Sequence, residues 1–160
     1  MIASAARKNR NLDKEKSAMP YAKLYYHFIW ATKGRLWLID HALEPDLYRA
    51  IAAKVQQMDG FIHAVGGVQD HIHLAASIPP KLAPAFFIGE VKGNASHFIN
   101  HVIKPNLAFY WQDEYGVLTF GEKNLPAVVR YIHNQKKHHA DGTIVPAMEI
   151  DSPPWRASHE

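Results

Sequence analysis

Residues 61–79, FIHAVGGVQDHIHLAASIP, hold two runs of strand composition, Phe61 to Val68 and His71 to Ile78. Only a tight junction at Gln69 and Asp70 separates them, and Pro79 and Pro80 stop the second run. So short a junction suits an antiparallel pair. Upstream, Tyr21 to Thr32 alternates: Leu24, Tyr26, Phe28 and Trp30 fall on one face, Tyr25, His27 and Ile29 on the other. This is a β period written in β-favouring residues. Between these blocks, PDLYRAIAAKVQQMDG places Leu47, Ile51 and Val55 at helical spacing, with Pro45 in the first turn and Gly60 at the stop.

Farther along, APAFFIGEVKGNASHFINHVI repeats apolar residues at Phe87, Val91, Phe98 and Val102 and predicts a second helix, weakened by Gly89 and Gly93. FYWQDEYGVLTFG reads as a fourth strand or hairpin arm, and NLPAVVRYIHNQKKHH as one continuous third helix with Pro126 in its first turn. The order βαββαβ followed by a helix fits an α+β, ferredoxin-like antiparallel sheet with helices on one face plus a C-terminal helix. The other face is then free to carry a site.

A chain of 160 residues makes one domain. Residues 1–18 are polar, lysine-rich and aperiodic and read as a disordered or non-native extension. The folded domain is expected over 19–142, and 143–160 as an extended tail rich in proline. No apolar run reaches the length of a membrane span, and the N-terminus has no apolar signal core, so the expectation is an intracellular, cytoplasmic protein. With no cysteine, any metal must be held by nitrogen and oxygen. A net charge of +3 and a pI near 9.1 weakly favour a polyanionic partner.

In a strand, residues two apart point the same way, so His71 and His73 present two imidazoles on one face. The triplet alone carries little weight, because 11 histidines in 160 residues supply roughly 0.7 such triplets by chance. The third helix adds an independent feature. At about 100° per residue, Tyr131, Gln135 and His138 share a stripe, beside an apolar sector of Leu125, Val128, Val129 and Ile132 that can pack on the sheet. Each feature alone has a bland reading, an amphipathic tyrosine and a solvated amide. Together their chemistry fits phosphoryl transfer: a two-histidine site with a third amide ligand keeps positions open for phosphate oxygens, and the tyrosine is a nucleophile. The nitrogen and oxygen donors suit Mg²⁺ or Mn²⁺. Neutral imidazoles are needed as ligands, so activity is expected to fall below about pH 6.

Five blocks in order, YYHFIWATKGR, DHIHLAASIPPK, VKGNASHFIN, WQDEYGVLTF and VVRYIHNQKKHH, resemble the single-tyrosine transposases of bacterial insertion sequences and the related REP-associated tyrosine transposases, of the HUH endonuclease superfamily. The resemblance runs from Met19 to about Gly142. It implies single-stranded DNA as substrate, with hairpin structure contributing to recognition, and cleavage by a tyrosine that keeps the 5′ phosphate and frees a 3′ hydroxyl. Carried over by position, it implies His71, His73 and Gln135 as metal ligands and Tyr131 as nucleophile, in a homodimer.

Around that set, Lys92, Arg130, Lys136 and Lys137 are candidates for phosphate contacts, and Tyr110 and Trp111 for stacking on unpaired bases. His138 and His139 are candidates to reach a phosphate or to cap the helix C-terminus. Asp70 could orient a histidine or simply form the turn. The alternative from another class is a non-catalytic module or domesticated regulator of the same fold that binds a single strand or DNA hairpin. A triple-histidine phosphoesterase wants histidine at Ala75, and a paired His-x-Thr/Ser enzyme wants a hydroxyl two residues after His71 or His73; neither is present.

Overall fold

The computed structural model describes residues 21–153; the expected N-terminal extension and the last residues of the tail lie outside the described residues. Its elements are β1 (Tyr25–Ala31), α1 (Glu44–Gln57), β2 (Phe61–Gly67), β3 (His71–Ser77), α2 (Pro84–Phe98), β4 (Gly116–Phe120), α3 (Leu125–His133) and α4 (Gln135–Asp141). The strands form one antiparallel sheet in the order β2-β3-β1-β4. The α+β ferredoxin-like architecture expected from the element order is the one observed.

The sheet has two different faces, and the alternation in β1 sets them. Phe28 and Trp30 from β1 join Ile72, Leu74 and Ala76 from β3 against Leu47, Ile51 and Val55 of α1 and Phe87, Ile88, Val91 and Ala95 of α2. This face is the main core, and each large side chain buried there contributes roughly 1.5–3 kcal/mol. On the opposite face a smaller cluster, Ala64, Ala75, Val128 and Ile132, seats α3 on β2 and β3. The face left open by α1 and α2 is thus covered by the helix that carries Tyr131.

Two elements differ from expectation. The fourth strand is only Gly116–Phe120; the aromatic lead-in turns away, leaving a single bridge from Trp111 to Thr32. The third helix is not continuous: it breaks at Asn134 (φ −100, ψ 18), whose side-chain amide donates to the carbonyl of Arg130 at 2.8 Å. An asparagine that hydrogen-bonds its own preceding turn competes with helix propagation, and helical periodicity does not register that competition.

The seating of α3 depends on Gly66, where a Cβ would stand 2.3 Å from the carbonyl oxygen of Ile132. Gly66→Ala is expected to cost about 1–3 kcal/mol by pushing α3 off the sheet. Gly89, mid-helix with open space around it, behaves oppositely: Gly89→Ala stabilises by about 0.5–1 kcal/mol. Chemical denaturation of the two variants checks both signs.

Candidate active site

The pairing of β1 with β3 places His73 opposite Ile29 and His71 opposite Ala31, both imidazoles on the face beneath α3. Each ring is tied at Nδ1. His71 Nδ1 lies 2.6 Å from Asp70 Oδ1, and His73 Nδ1 lies 2.9 Å from Nε2 of His27, a buried residue of β1. Arg35 stands behind the first pair, with Nη1 3.3 Å from His71 Nδ1 and 3.6 Å from Asp70 Oδ2.

Tyr131 lies on α3 and Gln135 opens α4, so the break at Asn134 falls between them, yet both are buried and face the histidines. The Tyr131 ring meets His73 edge-on at 6.1 Å and stacks on His138 at 4.7 Å. Among the described residues, four buried side-chain atoms have no hydrogen-bond partner: Trp30 Nε1, His71 Nε2, His73 Nε2 and Gln135 Oε1. Three of the four belong to this site. Native interiors rarely leave polar atoms orphaned, and nitrogen and oxygen atoms of this kind are what a cation can satisfy.

Glu149, which sequence reasoning missed, stands among these groups. Its Oε1 accepts a short hydrogen bond from the Tyr131 hydroxyl and one from Gln135 Nε2 at 3.3 Å. Its Oε2 is 3.3 Å from Nε2 of both His71 and His73 and 3.5 Å from His139 Nε2. The ligand atoms of His71, His139 and Glu149 all lie within 4.8 Å of one another, a second set that fits a cation. The segment bearing Glu149 is anchored by Asp151, which accepts from Arg35 at 2.5 Å and Gln112 at 3.1 Å, and by the Val145 amide, which donates to the Tyr131 hydroxyl at 3.0 Å. No local pattern in PAMEIDSP marks this placement; only the three-dimensional path of the chain does.

The carboxylates divide the histidines. Burial alone would lower His71, but the hydrogen bond to Asp70 and the nearby carboxylates of Asp70 and Glu149 outweigh it and raise the imidazole to about 9. For His73 burial wins over the attraction of Glu149 and its pKa is lowered. His27, buried and beside His73, is lowered to about 3. Burial and the hydrogen bond to Glu149 raise the phenol of Tyr131, so in this arrangement it keeps its proton. The two imidazoles beside it and the hydrogen bond from Tyr131 overcome burial and hold Glu149 well below the usual carboxylate range.

The outer candidates separate by surroundings. The Lys92 ammonium is buried against the carbonyl oxygens of Gln112, Asp113 and Glu114 at 2.7, 3.1 and 3.1 Å, so it secures that loop and presents nothing to solvent. Trp111 packs edge-on against Trp30 and Phe109 and donates to Lys92 O, a core position, whereas Tyr110 is 59% exposed. Lys136 pairs with Glu44 at 2.6 Å, tying α4 to α1. Arg130 and Lys137 are exposed. His138 reaches the Thr143 hydroxyl at 3.0 Å.

Residues 20–135 match the family model described as "Transposase IS200 like". Among solved structures, a candidate transposase from Deinococcus radiodurans R1 is similar at 25% identity and a TM-score of 0.58, over 72% of this chain and 93% of that one. A REP-associated tyrosine transposase bound to a REP hairpin shares the fold at 17% identity and a TM-score of 0.55, over 78% of this chain and 75% of that one. No curated protein matches the sequence. No helix among the described residues is long and apolar enough to cross a membrane.

The raised His71 pKa has a definite sign in stability. A histidine that titrates at about 9 when folded and 6.5 when unfolded adds stability below pH 6.5 that is lost as pH rises through about 9. Metal-free protein should therefore lose stability across that window, and Glu149→Gln should shrink the loss and move the His71 titration, followed by NMR, downward. A cation bound through His71 Nε2 would have to displace this proton, which would move any metal-dependent pH window above the value near 6 expected from an ordinary imidazole.

Proposed function

The chain belongs to the IS200-like transposases, and from that premise we propose that it is a metal-dependent endonuclease and transposase that cuts and rejoins single-stranded DNA through a 5′-phosphotyrosine on Tyr131. The observation that carries this reading is the convergence of the Tyr131 hydroxyl with three orphaned ligand atoms, His71 Nε2, His73 Nε2 and Gln135 Oε1, at one buried place.

Those three residues would hold the ion, Mg²⁺ or Mn²⁺. When bound, it supplies a Lewis acid that polarises the scissile phosphate and offsets the charge developing on it. Tyr131 attacks the phosphorus in line; the bond from its oxygen to phosphorus forms, the bond from phosphorus to the 3′ oxygen breaks, and the 3′ end leaves as a hydroxyl. The proton that Tyr131 loses in this step balances the one the leaving 3′ oxygen takes up. A 3′ hydroxyl from another strand attacks the phosphotyrosine, reverses the exchange and restores the phenol. The exposed Arg130 and Lys137 add salt-dependent attraction for the backbone, and Tyr110 offers an exposed ring for an unpaired base.

Glu149 sets a condition on this cycle. Its carboxylate takes the Tyr131 hydrogen bond and faces the histidines, the groups a scissile phosphate has to reach. The carboxylate stands where a phosphate oxygen would approach Tyr131 and the imidazoles, so on this reading DNA displaces it from the Tyr131 hydroxyl. The structural neighbour bound to a REP hairpin supports a hairpin-bearing DNA partner. We extend the proposal to a cytoplasmic homodimer whose catalytic unit spans residues 19–142.

The test is incubation with Mn²⁺ or Mg²⁺ and single-stranded DNA carrying a hairpin from the flank of the gene, followed by denaturing electrophoresis. Wild type should form a covalent protein–DNA band and Tyr131→Phe none; an equal band in Tyr131→Phe removes the nucleophile assignment. Binding without any adduct in wild type hands the case to a non-catalytic hairpin-binding module. Glu149→Ala should speed adduct formation at limiting DNA by roughly tenfold or more, since a charge-assisted hydrogen bond of about 1.5–3 kcal/mol no longer has to be displaced.

A further inference from the structure

An imidazole that binds a cation through Nε2 must keep its proton on Nδ1, and the partner of Nδ1 decides whether it does. For His71 that partner is Asp70, an acceptor only, at 2.6 Å. His73 has no carboxylate at Nδ1. Its partner there is Nε2 of His27 at 2.9 Å, supplied from the neighbouring strand two residues along from Ile29, which pairs with His73.

We propose that His27 is a positioning residue of the site: it accepts the Nδ1 proton of His73 and so holds the Nε2 lone pair toward the metal. The inference rests on the reading of His73 as a ligand. His27 is 1% exposed, so water does not replace it as the acceptor. Leu118, Val128 and Tyr131 line the same cavity as His27. A neutral ring has one nitrogen free to accept; a charged one would have none and would set a cation beside the metal. Acceptance at Nε2 puts the proton of His27 on its own Nδ1.

The two ligands are then held by unlike partners. Asp70, with Arg35 beside it, brings a carboxylate to His71, while His27 brings none to His73. An acceptor without charge orients the second ligand yet leaves the ion more of its positive charge to spend on a phosphate, which serves Lewis-acid chemistry better than two carboxylates would. It also fastens β1 to β3 at the site, so the ring direction is fixed by the sheet register rather than by a loop.

The test is Mn²⁺ binding to purified, DNA-free protein, read from the electron paramagnetic resonance signal of the free ion, with thermal melts as a check on folding. His27→Phe, which fills the space without an acceptor, should weaken binding by about 10–100-fold, and His27→Gln, whose Oε1 takes the place of Nε2, should return it to within about threefold of wild type. Unchanged affinity in His27→Phe, or equal weakness in both variants, overturns the role. Should His27→Phe not fold, His27→Asn replaces it: its oxygen falls short of His73, so it should bind weakly where Gln binds well, and equal binding by the two overturns the role. Absence of Mn²⁺ binding in wild type is a separate outcome that removes the ligand set itself, and the inference with it.

Discussion

Buried polar atoms without partners are costly, and the rest of this structure is arranged around three of them. Leaving His71 Nε2, His73 Nε2 and Gln135 Oε1 unpaired costs on the order of 1–3 kcal/mol each unless something charged sits between them. In this structure Glu149 sits there, in ion-pair reach of both rings though not aligned for a full hydrogen bond. These atoms meet because the apolar cluster seats α3 close on the sheet, with Gly66 under the Ile132 carbonyl, and because Arg35 holds Asp151 so that the last described residues fold back across the site.

The sheet makes this possible by dividing its labour. Its large aromatic and aliphatic residues face α1 and α2, where packing supplies most of the stabilisation. The opposite face is secured by a much smaller apolar cluster, Ala64, Ala75, Val128 and Ile132, which leaves room for imidazoles among small side chains. β1 and β3 are the two inner strands, so His27, His71 and His73 are held by hydrogen bonds on both sides of each backbone. Rigid elements of this kind position reacting groups more closely than loops do.

What could be read in the sequence follows from the range of the signals. Period two located β1, strand composition bounded by a tight junction and Pro79-Pro80 located β2 and β3, and the pleat put His71 and His73 on one face; helical spacing located α1 and α2 and put Tyr131 beside Gln135. These are local signals. The break at Asn134 escaped because it arises from a side chain competing for one carbonyl, which periodicity does not record. His27 was placed on the correct face of its strand but not next to His73, because that contact is diagonal and depends on register between strands 46 residues apart. Lys92, a candidate for phosphate contacts in the sequence, is buried, its partners being backbone carbonyls with no sequence signature. Glu149 lay in a segment without pattern, and nothing short of the fold could connect it to Tyr131.

That Glu149 belongs to the same chain as the groups it contacts gives the arrangement a property that no free inhibitor has. A tethered group meets its site at an effective concentration set by the tether, on the order of millimolar for short connections, and dilution of the protein leaves this unchanged. The segment from Gly142 to Glu149 is such a tether, with Asp151 clasped to Arg35 just beyond it. On the proposed reading, a randomly encountered strand would meet an occupied site at any protein level, whereas a strand held by a hairpin would arrive as a second tethered anion and compete on equal terms. Selectivity for structured DNA would then come from the contest between two local concentrations, without any base being read at the cleavage site.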